Sequence, residues 1–162
     1  MNSMGTNADE VARLIDQLER GYRGDAWHGP ALRTLLTGVD ATTAAGRQVS
    51  GVHSIWELTA HIAFWMDVAG RRVAGEIVTL QDGDDWAVID ARNAFRWRDT
   101  LAALDASHEQ LIKEVQALSA ADLERIVPVM GYTNYVMLHG VLQHNLYHAG
   151  QIAMLIRASL PY

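Results

Sequence analysis

The chain has 162 residues, 49% apolar and 20% charged, a balance that predicts one globular domain over 1–162 with enough material for a buried core. The net charge is −6 and the basic residues are scattered, with Arg71-Arg72 the densest pair, so the clustered cations of a nucleic-acid binder are missing and an anionic membrane is disfavoured. There is no cysteine, which excludes disulfides, thiolate metal sites and cysteine nucleophiles.

Met1 to Glu10 is polar and lacks the apolar core of a signal segment, and no run approaches the roughly 18 apolar residues of a membrane span. The expectation is a cytoplasmic protein. The three prolines, at 30, 128 and 161, stand at the edges of periodic segments, and sustained period-2 alternation is absent. The reading is therefore all-α.

A first helix is predicted over 7–22, with Val11, Leu14, Ile15 and Leu18 on one face. Gly24 and Gly29-Pro30 interrupt, a short turn follows over 31–36, and 40–51 reads as a connection. The second helix has a defined start, because Ser54 and Glu57 form a capping box before an apolar run. It should reach Ala74 and stop at Gly75. Residues 76–90, with Asp82, Asp84 and Asp85, do not match calcium-loop spacing and read as a solvated connection.

A third helix is predicted over 90–118, where Trp97, Leu101, Leu104, His108, Leu111, Val115 and Leu118 alternate at spacings of 4 and 3, as a bundle seam does. Ser119 to Thr133 connects to a fourth helix over 134–159.

Seven histidines are present. His144 and His148 are four apart on the fourth helix, hence one turn apart on one face. They share the stripe of Met137, Val141, Gln151 and Leu155, so both point inward, where unpartnered imidazoles are costly and a shared metal would satisfy both. Helical HxxxH also occurs without a metal; the seam position is what singles this one out. His61 lies on the stripe of Leu58, Trp65 and Val68 and faces inward as well. Bundle metal sites are built from inward side chains of facing helices, and three imidazoles leave an open coordination position, the mark of a catalytic site.

His108 passes the same seam test, so periodicity alone does not separate ligand from core histidine. His139 lies off the stripe. His28, in Trp27-His28-Gly29-Pro30, and His53, just before the capping box, sit at segment ends, as turn residues or as the rim of a pocket. Glu57 could orient His61, but its capping role already explains it.

With these stretches together, namely Trp27 to Pro30, His53 to Trp65 (HSIWELTAHIAFW) and His139 to Arg157 (HGVLQHNLYHAGQIAMLIR), the chain resembles the DinB-like (damage-inducible) family of four-helix-bundle metalloproteins, related to thiol-dependent S-transferases of bacteria. The resemblance implies an up-and-down four-helix bundle, often dimeric. It implies a metal held by one histidine of the second helix and two of the fourth, which map onto His61, His144 and His148. Where a reaction is established in the family, it mostly transfers a low-molecular-weight thiol or isomerises a thiol adduct.

The resulting expectation is a metal-dependent enzyme that activates a thiol or water for transfer or hydrolysis on a small substrate. A non-catalytic metal-binding stress-response protein is the alternative. Zinc is the expected ion, with nickel and iron(II) also suited to imidazoles. The partners expected are a small-molecule substrate and a second copy of the chain, with no nucleic acid and no membrane. A pocket lined by Trp65, with Trp56 as a second aromatic candidate, should open at one end of the bundle, and His28 and His53 should lie at its rim.

Overall fold

The structure is a computed structural model and describes residues 7–89 and 94–160. It is built from four long helices, α1 (Asn7–Tyr22), α4 (Ile55–Val73), α5 (Ala94–Gln116) and α7 (Asn134–Ser159). Three one-turn helices lie between them, α2 (Leu32–Leu35), α3 (Ala41–Ala45) and α6 (Ala120–Leu123). Among the described residues the only β pairing is an isolated antiparallel bridge between Ile126 and Thr133. Positions 90–93, where the predicted third helix begins, lie outside the described residues.

The two helices that matter most are delimited by their own sequence. At the start of α4, Ser54 Oγ accepts from the Glu57 amide at 3.2 Å and Glu57 returns the contact to the Ser54 amide at 2.7 Å. At its end, the amides of Gly75 and Glu76 donate to the carbonyls of Arg72 and Arg71, both at 3.0 Å, the paired closure that needs a left-handed residue after the helix. Gly75 supplies it, with φ +92°. For α7, Thr133 Oγ1 accepts from the Val136 amide at 3.2 Å. A tight loop closed by Val127 N to Tyr132 O (2.8 Å) and Asn134 N to Arg125 O (2.9 Å) delivers the chain to that cap.

Two connections contain helices that periodicity does not reveal. Asp40 caps α3, and Ser119 with Asp122 forms a second capping box for α6. Each helix is too short for an apolar stripe to register.

α4 packs against both α5 and α7, and α1 packs against α5 and α7. The core between them includes Leu14, Leu18, Trp56, Leu58, Ile62, Met66, Leu104, Leu111, Val115, Leu138 and Ile152. Trp56 is a core residue rather than a pocket wall. Its Nε1 donates to Thr100 Oγ1 at 2.8 Å and its ring meets Trp97 at 5.4 Å.

Candidate metal centre

His61 projects from α4, and His144 and His148 project from successive turns of α7. One coordinating nitrogen from each lies within 4.8 Å of the others. His61 and His148 are buried, at 5% and 8% exposure, and His144 is half-buried. Burial of an α4–α7 seam thus brings the three imidazoles to one point, as their stripes require.

The outward nitrogens of the rings are held by neighbours. His61 Nδ1 lies 2.9 Å from the carbonyl oxygen of Asp85. A carbonyl only accepts, so Nδ1 carries the proton and the lone pair is on Nε2. His148 Nδ1 donates in the same way to Gln151 Oε1 at 2.6 Å, one turn further along α7. His144 Nδ1 has a longer contact, 3.4 Å, to Asn145 Oδ1. Such partners fix ring orientation and leave Nε2 to a metal.

The Nε2 atoms of His61 and His144 are 3.0 Å apart. Tetrahedral zinc–nitrogen bonds would set two such atoms about 3.3 Å apart, so this pair is spaced within a few tenths of an ångström of what an ion asks for, and the His148 ligand nitrogen lies within 4.8 Å of both. Its electrostatics agree. Burial, helped by His148 beside it, pushes the His144 imidazolium down to about 4. Burial also lowers His148, opposed by its bond to Gln151 and aided by His61. Both rings are therefore neutral near pH 7, the form that binds a metal.

The connection expected to be solvated over 76–90 is more than that over its described part, 76–89. Asp85 holds His61 through its backbone, and its carboxylate accepts from Trp65 Nε1 at 3.3 Å. Trp86 stacks on His61 (centroids 4.0 Å apart, planes at 10°), and His53 stacks on the other side of Trp86 at 3.6 Å. The acidic sequence hides these roles because one acts through a main-chain carbonyl and the other is an isolated ring directly after two aspartates. Gln151 shares the histidine stripe, at i+3 from His148, so spacing alone gives its position but not its bond to the ring.

Trp65 and His144 line a cavity of about 360 Å³ between α4 and α7, together with Val68, Arg72, Val136 and Val141. Gly140 of α7 also lines it, is exposed, and offers no side chain to close the groove. His53 borders the histidine group through Trp86, whereas His28 lines a separate hollow with Gln17, Arg20 and Leu146. His108 lies outside the group, against α1, where its ring stacks on Tyr22 at 3.8 Å. His139 also stands apart, its ring tilted against Tyr135 at 4.4 Å.

A helical protein in which three imidazoles, two buried and one half-buried, converge between facing helices holds a group that could bind a metal ion. The chain belongs to the DinB superfamily, whose family profile matches residues 26–152. Comparisons with curated proteins and with solved structures gave no significant match.

Proposed function

We propose that the protein is a metal-dependent enzyme of small-molecule chemistry, with His61, His144 and His148 as ligands and zinc as the ion. The observation that carries this reading is the convergence of three imidazoles, with no fourth protein ligand among the described residues, beside a cavity open to solvent. A structural metal site closes its shell; this one leaves room for a reactant.

A divalent ion held there would supply Lewis acidity, lowering the pKa of a thiol or of water that reaches it. The protein's own contribution is orientation and exclusion. Asp85 and Gln151 hold two rings in the tautomer that presents Nε2 inward. Trp86 covers His61, and Trp65 with Val141 walls the space in front of His144. The reaction class is transfer of a low-molecular-weight thiol to an electrophilic carbon, or hydrolysis. The first, together with an up-and-down bundle arrangement and a homodimer, is what the resemblance of the His53–Trp65 and His139–Arg157 stretches to the DinB-like family implies. The proposed site of action is the cytoplasm; no helix among the described residues is long and apolar enough to cross a membrane.

The test is elemental analysis of protein purified without a metal-affinity column, then a thiol-transfer screen of the loaded protein with electrophilic acceptors. One ion per chain and metal-dependent turnover are expected. Stoichiometric metal with no turnover against any thiol or hydrolytic substrate would favour the non-catalytic metal-binding reading.

A further inference from the structure

Arg72 lies on the same stripe of α4 as His61, Trp65 and Val68, eleven positions beyond His61 and so about 16 Å further along the helix axis. It is 7% exposed and lines the cavity that His144 also lines. A guanidinium has five N–H donors, yet the contact made here is a single long one, Nη2 to the Val78 carbonyl at 3.3 Å. The nearby carboxylates are taken by the adjacent arginine: Asp67 is 3.6 Å from Arg71, and Glu76 accepts from Arg71 Nε at 2.8 Å. No carboxylate among the described residues pairs with Arg72. Buried cations are ordinarily paired, because desolvation without a partner is costly. Arg72 is thus a permanently charged side chain, without a carboxylate partner among the described residues, in the lining of a mostly apolar cavity, where it can receive an anion that is not part of the chain.

We infer that the cavity takes a small molecule with an apolar body and one terminal carboxylate, which Arg72 binds, while the opposite end of the molecule reaches His144. Val68, Val136 and Val141 contact the apolar body, and the planar guanidinium fits a carboxylate with two parallel hydrogen bonds. The inference deepens the enzymatic reading by giving its substrate class, but the carboxylate subsite itself rests only on Arg72 and the cavity.

Calorimetric titration tests it, with octanoate and octanamide as probes, on zinc-loaded and on chelator-treated protein. Octanoate should bind saturably in both states, at least tenfold more tightly than octanamide. Arg72→Met should weaken octanoate at least tenfold and leave octanamide nearly unchanged. Gly140→Phe, placed where an added Cβ meets open space, should fill the cavity and abolish binding of both probes. Equal affinity for the two probes on the unmodified protein overturns the inference and needs no variant to fold. Octanoate binding that survives Arg72→Met, or that requires zinc, overturns it as well, since the carboxylate would then sit elsewhere or on the metal. Zinc titration of the same wild-type preparation reads the metal site separately, so failure of either reading is recognisable.

Discussion

Histidines are buried in two places, between α4 and α7 and between α1 and α5, and the two surroundings differ in kind. Around His108 the charges are already matched. Glu19 is bound to Arg23 at 2.9 Å, Asp105 is bound to Arg33 at 2.8 Å, and the Tyr22 hydroxyl donates to Asp105 at 2.5 Å. His108 Nε2 lies 3.5 Å from Glu19 without a hydrogen bond, and its ring packs flat on Tyr22. This is a closed polar cluster in which the imidazole acts mainly as a packing ring. Around His61, His144 and His148 the lone pairs face one another with no donor between them except another imidazole, and the rings are braced from outside. A histidine braced outward and bare inward is prepared for something absent from the chain; one stacked within a neutralised cluster is not.

The largest expected effect separates the two places directly. His144→Ala should remove stoichiometric zinc binding while the far-ultraviolet circular dichroism stays near wild type, because the apolar core forms without the ion. Zinc should raise the melting temperature of the wild type and not of the variant. Retained one-to-one binding would break the distinction.

Bracing comes next in size. Gln151→Leu removes the acceptor of His148 Nδ1 and should weaken zinc affinity about 10–100-fold, the usual cost of losing a group that orients a ligand. An unchanged dissociation constant would show that the bond to Gln151 has no part in the site.

His108→Leu should give the opposite pattern. Zinc affinity should stay within about twofold of wild type, since the cluster shares no partner with the metal group. Unfolding free energy in denaturant should fall by about 1–3 kcal/mol through lost stacking and changed polar contacts. A large loss of zinc affinity would show that the two regions are coupled.

The smallest effect is in pH dependence. Burial holds His108 below the ordinary histidine range, and this outweighs the opposing pull of Glu19. The unfolded chain therefore takes up this proton first as pH falls. The contribution is complete above the ordinary value near 6.5 and is lost as pH drops from there toward the lower folded-state value. Metal-free protein should lose stability over that interval, and His108→Leu should show a shallower loss. An equal slope in the two would remove His108 from the acid response.

Much of this molecule was legible in its residues. The 4 and 3 spacings placed His61, His144, His148 and His108 on buried faces, and local caps set the bounds of α4 and α7, because both signals depend only on residues within a few turns of one another. The resemblance to the DinB family, now matched over 26–152, separated three of those histidines from the fourth; periodicity did not. Only the tertiary structure showed why. The partners that decide each ring's role, Asp85 and Trp86 for His61 and Tyr22 for His108, lie 24, 25 and 86 positions away in the chain. Two of them sit in a loop without periodicity, and one acts through a main-chain carbonyl that every residue type possesses. Arg72 illustrates the same limit. Its place on the His61 stripe follows from spacing, but the absence of a counter-ion depends on where the distant chain folds, and on Asp67 and Glu76 both turning to Arg71.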